Sequence, residues 1–116
     1  MTYDPHNLFA RIISGQIPCN KVYEDEITFA FHDIAPKAPV HVLVVPKGPY
    51  KDFESFVLNA PSEKVSRFFH TVAQIAQQLG LADAGYRLLT NKGSHAHQEV
   101  PHFHVHMVGG GSLAPW

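Results

Sequence analysis

Apolar residues along this chain switch between two spacings, and the switches mark its elements. Leu8, Phe9, Ile12 and Ile13 fall at helical steps behind Asn7, a residue suited to an N-cap, with Gly15 placed to end a short helix. Lys21 to Glu24 and Ile27 to Phe31 read as two strands around the acidic turn Asp25-Glu26. Pro36 and Pro39 impose an extended loop, and the β-branched run His41-Val42-Leu43-Val44-Val45 reads as a strand covered on both faces. Val65, Phe68, Phe69, Val72, Ile75, Ala76 and Leu79 recur at three- and four-residue steps between Ser62 and Gly80, which predicts one long helix facing a sheet. Tyr86 to Thr90 predicts a fourth strand, Asn91 to Glu99 a polar loop and His102 to Val108 a fifth strand.

Strands in hairpin-like succession with one long helix inserted predict an α+β fold, a five-stranded antiparallel sheet with one long and one short helix. No repeat, low-complexity tract or composition break marks a linker, so one domain is expected over residues 1–116. With 45% hydrophobic and 16% charged residues the composition is that of an ordinary soluble protein. A formal charge of −1 argues against broad electrostatic capture of nucleic acid, so any nucleotide bound is a small one in a pocket. No apolar run approaches the roughly 20 residues that span a bilayer, and Met1-Thr2-Tyr3-Asp4-Pro5 lacks a signal pattern, so a cytoplasmic protein without a membrane partner is expected. Cys19 is the single cysteine; it has no internal disulfide partner and is expected to pack.

Chemistry concentrates in Val100-Pro101-His102-Phe103-His104-Val105-His106-Met107-Val108. On a strand this alternation places His102, His104 and His106 on one face and Phe103, Val105 and Met107 on the other. Histidine exchanges its proton near neutral pH, so the row is a candidate for nucleophilic or acid–base work. Three metal ligands from one regular strand do not fit: neighbours in the row stand about 6.7 Å apart and the outer pair about 13 Å, whereas zinc holds each nitrogen at about 2.0–2.1 Å. Two could share a metal with help from His41, His95 or His97, but no metal and no other cofactor is expected. There is no Gly-x-Gly-x-x-Gly fingerprint and no phosphate loop, so any phosphate must be held by another cradle.

The segment from His102 to Val108 resembles the His-φ-His-φ-His-φ-φ signature of the histidine triad (HIT) family, φ being a large apolar residue. The likeness extends over most of the chain, through Phe9 to Pro18, Tyr23 to Glu26, Phe31 to Pro36 and Ala38 to Lys47. The N-terminal helix segment and Gly109-Gly110 resemble the Hint branch, the nucleoside phosphoramidases, more than the dinucleoside polyphosphate hydrolases. A histidine at 106, where related nucleotidylyltransferases carry Gln, points to hydrolysis.

The resemblance implies a homodimer whose two sheets join, and an enzyme splitting purine nucleoside 5′-phosphoramidates of the AMP-amidate or AMP-lysine type. His104, the middle histidine, is then the nucleophile, forming a nucleotidyl-histidine that water hydrolyses. His106 is expected to donate to the phosphate oxygens, and His102 and His41 to orient the nucleophile through side-chain or backbone contacts. Asp33 is expected to accept from the ribose hydroxyls, beside His32 and Ile34, or else to cap a turn. Phe9, Ile12 and Phe31 are expected to line a slot for the base, a reading that competes with plain core. Asn91 and Gln98 match positions near the phosphate, where neutral amides can donate to an anion.

Three features depart from the pattern or stay open. Ala96-His97 stands where relatives often carry paired glycines, so His97 reaches the phosphate, binds an adventitious metal with His95 or points to solvent. Glu99 stands near an anionic phosphate, so it handles the leaving amine or lies outside the site. The tail from Gly111 to Trp116 is either functional or a free terminus. The rival functions are hydrolysis of dinucleoside polyphosphates or nucleotide esters, and nucleotide-responsive binding without catalysis.

Overall fold

The computed structural model describes residues 2–116. In chain order it runs α1 (Leu8–Ile13), β1 (Lys21–Glu24), β2 (Thr28–His32), β3 (Val40–Pro46), α2 (Phe53–Asn59), α3 (Ser62–Gln78), β4 (Tyr86–Leu89) and β5 (Val105–Gly109), with a 3-10 turn at Ser94–Ala96. The strands form one five-stranded sheet, β1-β2-β3-β5-β4, antiparallel at every pairing. No helix among the described residues is long and apolar enough to cross a membrane.

Local signals act where the sequence places them. Asn7 caps α1 by accepting from the Ala10 N–H at 2.9 Å, and Gly15 follows its end at φ +84°. Asp25 gathers the N–H groups of Ile27 and Thr28 on one carboxylate oxygen, each at 2.8 Å, which turns β1 into β2. Gly80, at φ +73°, closes α3, with the Leu81 N–H reaching back to the Ala76 carbonyl.

Alternation along β2 and β3 creates two cores. Ala30, Val42 and Val44 face α3, where they bury Phe68, Val72 and Ile75 together with Phe103, Val105 and Met107. Phe29, Phe31, Leu43 and Val45 face the other way, onto Phe9 and Ile12 of α1. β3 is covered on both faces, as its unbroken apolar run predicts.

Two sequence expectations need correction. A second short helix, α2, lies between β3 and α3, capped by Asp52 through the Ser55 N–H at 2.9 Å. It buries Phe56, which stacks on Phe103 at 5.2 Å and meets Phe68 edge-on at 5.1 Å. The fifth strand starts at Val105, so His102 and His104 precede it. There, ring and hydroxyl contacts replace the ladder: the His102 ring reaches the Pro46 carbonyl, and Thr90 Oγ1 donates to the His104 carbonyl at 2.7 Å.

Candidate active site

The separation of faces survives that correction, because Phe103, Val105 and Met107 sit in the α3 core while the His104 and His106 rings meet on the α1 side, 5.0 Å apart. Phe9 from α1 packs edge-on to the His104 ring at 4.8 Å. A cleft of about 790 Å³ opens there, and His41, His104 and His106 line it. So do all the residues expected to bind nucleotide: Phe9, Ile12, Phe31, His32, Asp33, Ile34, Asn91, Gln98 and Glu99. His102 does not line the cleft; at 1% exposure it is buried behind it.

Hydrogen-bond polarity fixes the state of each ring. His104 Nδ1 lies 2.7 Å from the His102 carbonyl oxygen, and a carbonyl only accepts. Nδ1 therefore carries the proton, and Nε2 keeps its lone pair. The Lys37 backbone N–H donates to His41 Nδ1 at 3.0 Å, so the proton of neutral His41 is on Nε2. That nitrogen lies 2.9 Å from His106 Nδ1, which must then accept, leaving the His106 proton on Nε2. One bare nitrogen and one N–H thus come from neighbouring rings, as attack on phosphorus and donation to its oxygens require.

All four rings are held neutral. Burial pushes His102 and His106 down to about 4, and lowers His104 and His41 as well. The Asp33 carboxylate opposes burial at His41, His104 and His106. Neutral His104 is the form with a lone pair to give.

The contacts of several expected residues are specific. His41 bonds to His106, so its direct hold is on that ring and not on His104. His102 reaches His104 through its backbone carbonyl. Asp33 Oδ1 accepts from the Ala35 N–H at 2.8 Å, so one oxygen caps a turn while Oδ2 stands 3.4 Å from His41 Nε2. Gln98 is fully committed: Oε1 accepts from the Gly93 N–H, and Nε2 donates to the Lys51 and Val100 carbonyls. Both amide protons are spent on the loop, which removes them from phosphate contact. Asn91 lines the cleft and makes no such bonds among the described residues. Ile34, at 96% exposure, is an outer lip and not a slot wall.

Residue His97 lines the cleft in the left-handed region, φ +58° and ψ 43°, the one non-glycine with positive φ among the described residues. Glu99 is exposed on the rim, and Trp116 points fully into solvent, while Leu113 and Ala114 line the cleft. Sequence reasoning missed Tyr3, whose hydroxyl bonds to His102, and the cations Lys37 and Arg87, which line the cleft. An alternation pattern carries no signal for a contact across 99 positions.

Asp33, His41 and His106 present three donor atoms within 4.8 Å of one another, a spacing that a metal ion could bridge. Hydrogen-bond polarity does not fit that use. The Lys37 N–H occupies His41 Nδ1, so Nε2 carries a proton where a metal needs a lone pair.

A HIT domain family model matches residues 14–113. An uncharacterized 13.2 kDa HIT-like protein of Azospirillum brasilense is 50% identical over 98% of this chain and 93% of its own. The purine nucleoside phosphoramidase of Escherichia coli K12 is 39% identical, over 93% of this chain and 90% of its own. Among solved structures, a HIT family hydrolase from Clostridium thermocellum superimposes with a TM-score of 0.86 at 36% identity, covering 96% of each chain. The matched span includes the three histidines and the strand opposite them, and on that extent of agreement the chain belongs to the histidine triad (HIT) family.

Proposed function

We propose that this protein is a purine nucleoside phosphoramidase acting through His104. The observation that carries the reading is the bare Nε2 of His104 facing the cleft beside the Nε2–H of His106. The base enters the apolar slot of Phe9, Ile12 and Phe31, and the ribose hydroxyls meet Asp33 Oδ2, the oxygen not engaged by the Ala35 N–H. His104 Nε2 attacks the α-phosphorus, the P–N bond breaks, and the amine leaves with a proton from solvent. Water then adds to phosphorus, the Nε2–P bond breaks and a proton returns to solvent, so one water is consumed overall. His106 Nε2–H donates to the phosphoryl oxygens as charge builds on them. No cofactor enters either step. The name of the E. coli relative supports the substrate class.

A homodimer belongs to this reading. β4 is an edge strand, and Tyr86, Leu88 and Leu89 on it are 37%, 43% and 38% exposed. An apolar, unpaired edge favours a second copy.

Lys37 and Arg87 favour a second reading, hydrolysis of dinucleoside polyphosphates, because both line the cleft and neither meets a carboxylate among the described residues. Turnover of AMP-amidate, AMP-lysine and diadenosine polyphosphates by the wild type and His104→Ala separates the readings. Faster cleavage of the phosphoramidates, lost in His104→Ala, is expected. Faster cleavage of the polyphosphates moves the assignment to the second reading. No turnover that the variant loses leaves a nucleotide-binding protein.

A further inference from the structure

Behind the cleft, the N-terminal segment reaches across the fold to the first histidine of the row. The Tyr3 hydroxyl lies 2.7 Å from His102 Nδ1, and the two rings meet edge-on at 5.7 Å. On the far side of the imidazole, Nε2 lies 2.8 Å from the Pro46 carbonyl oxygen at the end of β3. That carbonyl can only accept, so the His102 proton is on Nε2, Nδ1 has the lone pair and the phenol donates to it. The Asn7 side chain holds the phenol's pKa down against burial, and Asn7 also caps α1, the helix that presents Phe9 to the His104 ring. Burial pushes the Tyr3 phenol up, which keeps it a donor.

We propose that Tyr3 is a positioning residue for His104: its hydroxyl holds the His102 ring in one neutral tautomer, and the ring so held fixes the carbonyl that orients the His104 imidazole. The path is short. The His102 ring is anchored at both nitrogens, and the carbonyl of the same residue accepts the His104 Nδ1 proton at 2.7 Å. Without the hydroxyl, a buried acceptor loses its donor, and the ring has two escapes. It takes up a proton and puts a positive charge beside His104, or it turns and releases Pro46, moving the residue that carries the guiding carbonyl. Both disturb the attacking nitrogen. The His102 ring meets Phe9 edge-on at 6.4 Å, a longer contact than the 4.8 Å between Phe9 and the His104 ring, so turnover suffers more than nucleotide binding.

The kinetic part rests on the phosphoramidase reading; the tautomer part does not. In Tyr3→Phe, the imidazole nitrogens of His102, followed by 15N spectra of the substrate-free protein, should lose the pattern of a single neutral tautomer. With AMP-amidate, kcat should fall about tenfold with KM within about twofold, the loss of one buried positioning bond, and the acid limb of kcat should move to higher pH. Tyr3→Ala supplies a second arm, in which added phenol restores turnover and benzene, which fills the same space without a hydroxyl, does not. Unchanged His102 nitrogens in Tyr3→Phe, an unchanged kcat and acid limb, or equal rescue by benzene would each overturn the proposal. If the wild type turns over no phosphoramidate, the functional reading fails, while the nitrogen spectra still decide the role of Tyr3.

Discussion

His41 Nε2 lies 2.9 Å from His106 Nδ1, and the two rings are diagonal neighbours across β3 and β5. The register pairs His41 with Val108 and Leu43 with His106, so the two histidines share a sheet face one step apart. Because the Lys37 N–H points into His41 Nδ1, protons along this line all point the same way, from the backbone through two rings to the cleft. A loop amide thereby chooses which nitrogen of His106 donates.

Replacing His41 should therefore act on turnover more than on binding. In His41→Phe the His106 ring loses the partner that sets its tautomer, and it spends part of its time with a lone pair towards the phosphate. Removing one preorganised donor outright costs about 10²–10³ in kcat, and a ring that keeps the donor part of the time should lose about tenfold. Steady-state kinetics on AMP-amidate should show that fall with KM changed by less than about threefold. An unchanged kcat would show that His106 holds its tautomer without His41.

Acid should destabilise the fold through its buried histidines. His102 titrates near 6.5 when exposed in the unfolded chain but is pushed down to about 4 by burial, so the native state binds fewer protons in between. Its stabilising contribution is complete above about pH 6.5 and drains away as pH falls through about 4. A tenfold difference in proton affinity between the two states is worth about 1.4 kcal/mol, so this one ring accounts for about 3 kcal/mol. His106, also pushed to about 4 but less buried, adds to the loss in the same window. Thermal melts at half-unit steps of pH should show Tm falling between pH 6.5 and 4, with the His102 proton signals titrating at the bottom of that range. A Tm flat across it would contradict the assignment.

Much of this is legible in the sequence, for reasons that differ by element. β1 spans Lys21–Glu24 as its pattern predicts, and β2, β3 and β4 agree to within a residue at each end, because each run alternates against two cores or ends at a Pro, Asp or Gly signal. Gathering the row with His41 and Asp33 follows from family likeness, since spacing alone gives no contact across β3 and β5. α2 escapes a reading by period because seven residues show barely two turns, and what makes Phe53–Asn59 a helix is Phe56 packing on Phe68 and Phe103. The start of β5 is hidden for a similar reason. Nothing in an alternation of His and apolar residues reveals that Pro46 offers its carbonyl to a ring and that Thr90 takes the next one. Family likeness leads one to expect Gln98 at the phosphate, yet its amide is absorbed by the Gly93, Lys51 and Val100 backbone.

Strain at His97 offers a test of the loop. Its φ of +58° places Cβ against its own carbonyl, a conformation that costs a non-glycine residue roughly 1–2 kcal/mol. Glycine removes that cost but gains freedom in the unfolded chain, so His97→Gly should stabilise by about 0.5–1 kcal/mol and raise Tm by roughly 3–5 °C. His97 is exposed, and its side chain makes no hydrogen bond among the described residues that the change would break. If kcat for AMP-amidate also falls, the imidazole contacts substrate; if only Tm rises, the residue is a strained spacer. A lower Tm would show that the side chain holds the loop in place.

Chelation tests the charge state of the cluster where a metal could sit. Asp33, His41 and His106 each bring one donor atom to within 4.8 Å of the others, close enough to invite a divalent cation. For a cation to bind, His41 must give up its Nε2 proton, and the alternative site for that proton, Nδ1, already accepts the Lys37 N–H. Moving it there sets two N–H groups against each other at 3.0 Å and breaks the line that aims His106 at the phosphate. A bound metal would thus compete with the proposed chemistry and not assist it. Turnover of AMP-amidate should be the same before and after exhaustive treatment with a strong chelator, and added zinc should slow it. Loss of activity on chelation, regained with stoichiometric zinc, would mean that the three residues ligate a metal and that the proton assignment at His41 is wrong.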